Sequence, residues 1–143
     1  MGEWSKKIGE FGEDSVEKFL TLIGWDNSRI LKGTEIPCLN DSHLNKTGKS
    51  SNTHGIDFLY SYYCPLADGV WKNILISVKY TADKYPNSPN SVFKDYYNDL
   101  VSTIECFSSS EICCQIQQNI EYCNVADDIG VLFWLSNKND VDN

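Results

Sequence analysis

Apolar residues near the start of the chain recur with a helical period. Ile8, Phe11, Val16, Phe19, Leu20 and Ile23 fall at spacings of three, four and seven, which makes one stripe on a helix over 8–23. Gly24 supplies its C-terminal stop. Arg29–Pro37 reads as a strand, and 39–54 is polar and rich in Asn, Ser, Thr and Lys, a loop. Two stronger strands follow, Gly55–Tyr63 and Asn73–Thr81, rich in Ile, Leu, Val, Phe and Tyr. The turn Cys64–Gly69 joins them as a hairpin. After a Pro/Asn/Ser segment, helical spacing returns over Val92–Phe107, breaks at Ser108–Ser110 and resumes over Ser110–Tyr122. The continuous apolar run Ile129–Ser136 has the pattern of a buried strand. The order α-β-β-β-α-β predicts an α/β fold, a mixed four-stranded sheet flanked by helices.

Length and composition narrow the class. At 143 residues the chain is read as a single domain over 1–143, and 41% hydrophobic with 22% charged residues excludes disorder. No apolar run approaches the roughly 20 residues that cross a bilayer. The segment Met1–Glu10 has mixed charge and no apolar signal core, so a cytoplasmic protein is expected. That compartment makes the six cysteines buried free thiols rather than disulfides. Zinc is not expected, because Cys113–Cys114 with Cys123 lacks paired C-x-x-C spacings. His43 receives no role.

The net charge of −8 argues against a nucleic-acid enzyme and leaves open a protein that never touches a polyanion. The charge is unevenly distributed. Residues 1–84 carry ten Lys/Arg and eleven Asp/Glu, while 85–143 carry two Lys and nine acids, so the acidity lies in the C-terminal half.

The hairpin carries the chemistry. Strand alternation sets Asp57 opposite Ile56, Phe58 and Tyr60, and sets Ser77 and Lys79 opposite Ile74, Ile76, Val78 and Tyr80. An acid and a lysine thus interrupt apolar strands, where isolated charges are costly unless paired or metal-bound. Two readings follow: an Asp57–Lys79 ion pair at the sheet margin, or a site.

Gly55-Ile56-Asp57 on one strand and Ser77-Val78-Lys79 on the next resemble the acid and acid-x-Lys motifs of the PD-(D/E)XK nuclease superfamily. Gly9-Glu10-Phe11-Gly12-Glu13, followed by Val16, Phe19, Leu20 and Gly24-Trp25, resembles the glutamate-bearing first helix of such enzymes. Glu13 fits best by spacing, with Glu10 and Glu17 as runners-up. The resemblance runs from about residue 9 to 136 and implies a restriction-endonuclease-like core. Trp4–Gly12, with His54-Gly55-Ile56-Asp57 and Ile76-Ser77-Val78-Lys79-Tyr80, is similar to the small nuclease subunits of two-component anti-phage systems.

The resemblance implies hydrolysis of phosphodiester bonds in DNA, most simply double-stranded, with Mg2+ or Mn2+ as cofactor. Asp57, Glu13 and the Val78 carbonyl would bind the metal, and Lys79 would orient water and stabilise charge on the phosphate. The chain departs from the motif at Ser77, where the family has Glu, Asp or Gln. Either Glu13 compensates, or Ser77 acts through water, or activity is lost. Glu35 reads as an exposed strand residue. His54, Lys46, Lys49, Tyr80 and Lys84 are candidates for the nucleic-acid backbone, with a structural role the competing reading for His54. Tyr62-Tyr63 and Tyr96-Tyr97 are read as packing residues before base-stacking ones. A homo-oligomer or a second defence subunit is the expected assembly, and the chain end soon after the last strand fits an N-terminal portion of a longer protein. The alternatives are a non-catalytic nucleic-acid-binding module and a protein-interaction subunit using the acidic helices of 92–122.

Overall fold

The computed structural model describes residues 2–43, 48 and 52–137. Helix α1 (Gly2–Leu22) starts six residues before the apolar stripe. Those first turns have no apolar line; Lys7–Glu3 and Lys6–Glu10 pairs at i,i+4 support them instead. Gly24 ends the helix with φ 94°. The Gly24 N–H donates to the Thr21 carbonyl and the Trp25 N–H to that of Leu20, the Schellman closure that a glycine at this position permits.

A 3-10 turn, Asn27–Arg29, leads into β1 (Leu31–Pro37). Strands β2 (Thr53–Tyr63) and β3 (Val70–Thr81) form the expected hairpin, closed by the Cys64 N–H on the Val70 carbonyl at 2.8 Å. Helix α2 (Pro89–Phe107), a short α3 (Glu111–Gln118) and β4 (Val125–Ser136) complete the chain. Pro89 enters at the first turn, where its missing N–H costs nothing. Ser110 caps α3 by accepting the Cys113 N–H.

The sheet order is β1-β2-β3-β4, antiparallel for the first two pairings and parallel for the last. The expected mixed four-stranded sheet is therefore present. Strand β4 pairs with β3 from Val70↔Val125 to Thr81↔Ser136, which is why it begins before its apolar run.

Each face has its own core. Val16 and Leu20 of α1 pack on Phe58, Tyr60, Ile74 and Ile76, with Val131, Phe133 and Leu135 at the margin. On the other face Phe107, Cys106 and Cys113 pack on Leu59, Leu75, Ile36 and Ile56. At Gly12, α1 comes close to β3: a Cβ there would lie 2.5 Å from the Tyr80 Cβ. Gly130 plays the same part for β4 and α2, facing Leu100 and Ile104. Not all six thiols are buried: Cys114 and Cys123 are exposed.

Candidate active site

Strict alternation fails at Asp57. Phe58 and Tyr60 pack beneath α1, whereas Ile56 joins the opposite core with Leu59 and Leu75. The sequence reading that set Ile56, Phe58 and Tyr60 on one face is corrected here. Two backbone features account for the break. The β2–β3 ladder runs from Tyr63↔Trp71 only as far as Phe58↔Ile76, so the strands part at the next step. In β1 the register places Gly33 across from Asp57, and Gly33 has φ 63°, a left-handed conformation inside a strand.

Where the strands part, the Val78 N–H donates to Asp57 Oδ2 at 2.7 Å. This bond fixes the carboxylate between the splayed ends of β2 and β3. Glu13 extends from α1 one residue beyond the Gly12 contact. Partial burial, then the negative charges of Asp57, Asp14 and Glu10, hold the Glu13 carboxyl above its ordinary 4.5. The first-helix glutamate and the strand aspartate therefore share one field. The runners-up are differently engaged. Glu17 Oε1 accepts from Lys32 Nζ at 2.6 Å and from Asn27 Nδ2 at 2.9 Å, and Glu10 lies 4.0 Å from Lys6.

Lys79 does not pair with Asp57. Its Nζ lies 3.6 Å from Asp99 Oδ2 and 5.4 Å from the centre of the Tyr96 ring, both on α2. The ion-pair reading of the hairpin is thus replaced by one across to the helix. Asp99 was missed in the sequence because it looks like one more acid of an acidic helix. Its position between Tyr96 and Leu100, inside the apolar stripe, was the available signal. Ser77 is nearly buried and lines a narrow polar cleft with Gly55, Asp99 and Thr103.

The remaining candidates separate. Tyr80 is half-buried, with its ring 5.4 Å from that of Phe11, and so braces α1 against β3. It also borders an open groove with Trp4, Ile8, Val78, Lys79 and Tyr96. Lys84 is exposed just beyond β3. Lys46 and Lys49 lie outside the described residues. His54 is buried, and burial followed by His43 lowers its pKa below the ordinary 6.5. A buried imidazole whose charged form is disfavoured suits the structural reading of His54 better than a phosphate contact. Glu35 is exposed, as expected. Tyr62 packs near Trp25 and Tyr63 on Trp71, which supports their reading as packing residues.

The candidate donors, the carboxylates of Glu13 on α1 and Asp57 on β2 and the Val78 carbonyl on β3, are hard oxygen ligands of the kind that magnesium or manganese takes. The raised Glu13 carboxyl fits that role, since crowded acids are relieved by a divalent cation. A mixed sheet of this order, with a glutamate on the first helix, an aspartate where the ladder opens and a lysine on the next strand, has the arrangement of a PD-(D/E)XK nuclease core. The family described as GAPS4 protein PD-(D/E)XK nuclease domain matches residues 1–143, and the chain belongs to it. No curated protein and no solved structure gives a match.

Proposed function

We propose that this domain is a divalent-metal-dependent nuclease that hydrolyses DNA, acting in the cytoplasm in anti-phage defence, alone as an oligomer or with a partner subunit. The observation that carries the reading is the placement of Asp57. Its carboxylate is fixed by the Val78 N–H where β2 and β3 part, within the field of Glu13 and beside the strand that bears Lys79. A divalent ion bound by Asp57, Glu13 and the Val78 carbonyl would supply Lewis acidity to a phosphodiester and lower the pKa of water. Asp57 is preoriented for that role by its backbone hydrogen bond, so little is lost in ordering it. Lys79, positioned by Asp99 and Tyr96, orients the attacking water and stabilises charge on the phosphate. Glu13 supplies the carboxylate that Ser77 lacks.

Cleavage of duplex DNA in Mg2+ or Mn2+ tests this, with Asp57→Ala and Lys79→Ala each expected to lower the rate by at least about 100-fold. Purified protein, with any partner, that cuts neither DNA nor RNA in either metal would sink the proposal. A second reading rests on Ser77 and Lys79: the serine is nearly buried and the ammonium is engaged by Asp99, as in a site that binds without cutting. That reading expects DNA affinity indifferent to both substitutions.

A further inference from the structure

Away from the active site, four side chains from four parts of the chain meet at one point. Cys38 follows β1, His43 lies in the loop after it, His54 is on β2 and Cys106 is near the end of α2. One ligand atom from each, two sulfurs and two ring nitrogens, lies within 4.8 Å of all the others. We propose that these residues form a structural zinc site, independent of the nuclease reading and of its magnesium ligands.

The distances have the dimensions of a tetrahedral shell. Zn–S bonds of about 2.3 Å and Zn–N bonds of about 2.05 Å give S···N edges near 3.5–3.6 Å and an N···N edge near 3.3–3.4 Å. His43 Nδ1 lies 3.6 Å from Cys38 Sγ, 3.4 Å from Cys106 Sγ and 3.3 Å from His54 Nε2. Hydrogen bonding alone does not explain this arrangement. A ring nitrogen has either one proton or one lone pair, so His43 Nδ1 satisfies one of three neighbours and leaves the others poorly paired. A central cation uses every lone pair at once.

The surroundings fit the same centre. His43 Nε2 lies 2.7 Å from Glu105 Oε2, a carboxylate on the far ring nitrogen. That contact puts the proton on Nε2 and leaves Nδ1 free to ligate, the arrangement that orients metal-bound histidines. The Leu39 N–H points at Cys106 Sγ at 3.4 Å, a donor suited to a thiolate. Cys38 Sγ is 3.3 Å from the Asn40 carbonyl, which a thiol proton satisfies only in the metal-free form. Three of the four residues are buried, and two sulfurs with two imidazoles select zinc over magnesium or calcium.

The site ties the end of β1, the start of β2 and the end of α2 together. In sequence, the ten residues between His43 and His54, which include Lys46 and Lys49, are bounded on both sides by ligands. Binding converts two thiols to thiolates, with their protons released to solvent.

Elemental analysis of the whole protein, purified reduced and dialysed against a weak chelator, is expected to show about one zinc per chain. Cobalt exchanged into the site should give the intense visible bands of tetrahedral coordination and a thiolate charge-transfer band. Cys38→Ser and Cys106→Ser should each lower zinc to below about 0.2 per chain, while Cys114→Ser and Asp57→Ala keep it. If the ligand variants do not fold, a mercurial titration of the native protein replaces them, zinc being released as the buried thiols react. Protein with only trace zinc and no tetrahedral cobalt spectrum overturns the proposal. So does stoichiometric zinc that survives loss of Cys38 and Cys106, or that leaves with Asp57.

Discussion

Gly9 and Gly12 lie one turn apart on α1, and replacing each with alanine separates helix propensity from packing. Alanine is favoured over glycine in a helix interior by about 1 kcal/mol, a gain common to both positions. At Gly9 a Cβ meets nothing within 4 Å, so Gly9→Ala should stabilise by about 0.5–1 kcal/mol. At Gly12 the new Cβ would lie 2.5 Å from the Tyr80 Cβ, 3.1 Å from its Cγ and 3.5 Å from Val78 Cγ1. The nearest obstacle is a Cβ, fixed to the backbone of β3, so no rotamer change clears it. Ordinary carbon contacts need about 3.5–4.0 Å, and α1 must lift by roughly 1 Å at this point. Val16 and Leu20, each 2% exposed, lie on the next turns of the same helix and lose contact as it lifts.

Such overpacking costs about 1–3 kcal/mol, and that cost should appear as the difference between the two variants. Urea unfolding followed by tryptophan fluorescence, at fixed zinc concentration, measures it directly. Equal shifts for the two, within about 0.5 kcal/mol, would refute the close approach and with it the placement of α1 on β3. On the proposed nuclease reading, Gly12→Ala also moves Glu13 away from Asp57. Its cleavage rate should then fall under conditions where the protein remains folded, while Gly9→Ala cuts normally.

Three further outcomes follow from buried or paired groups. Asn73 is fully buried, accepting from Ser61 Oγ and Trp71 Nε1 and donating to Asp128, so Asn73→Ala should cost roughly 2–4 kcal/mol in urea unfolding; a loss below about 1 kcal/mol would count against that network. Burial, then Asp128 and Cys114, raises the Cys113 thiol to about 11, leaving about 0.1% thiolate at pH 8. Alkylation mapped by mass spectrometry should therefore modify exposed Cys114 and Cys123 well before Cys113. The hydrogen bond from Lys32 holds the Glu17 carboxyl below its ordinary 4.5, so its stabilising effect is present above that value and is lost as pH falls through the lower folded-state value. Glu17 is half-buried and its partner Lys32 exposed, so the effect is small, and Glu17→Gln should flatten the urea midpoint only in that acid range.

Element order was legible because the helix and strand periods are unmistakable where one face is buried. Boundaries were less so, since they rest on other forces. The first turns of α1 depend on charge pairs, and the start of β4 on parallel pairing with Val70. Glu13 and Asp57 could be nominated from local motifs, and the structure places them in one field. The role of Asp99 could not, because it depends on where α2 crosses β3. Alternation also misled at Ile56, since the break there comes from the parting of two ladders and a left-handed Gly33. The cysteine–histidine cluster was the largest omission. Its members lie at 38, 43, 54 and 106, and the spacing rules that excluded zinc recognise only ligands close together in sequence.

The acidity that argued against a nucleic-acid enzyme acquires a physical consequence once the site is in place. Asp57, Asp14 and Glu10 each bear on Glu13, and Lys79 lies beside the carboxylate of Asp99. A phosphate approaching this site meets a repulsive field at short range, where salt screens it least. On the proposed reading, a divalent cation is therefore needed to admit the substrate as well as to cut it. Affinity for DNA should itself depend on magnesium, manganese or a non-catalytic substitute such as calcium, and Glu13→Gln should change binding as well as turnover. A domain of this family that bound DNA equally well in chelator and in calcium would have to draw its positive charge from elsewhere, most simply from a partner chain.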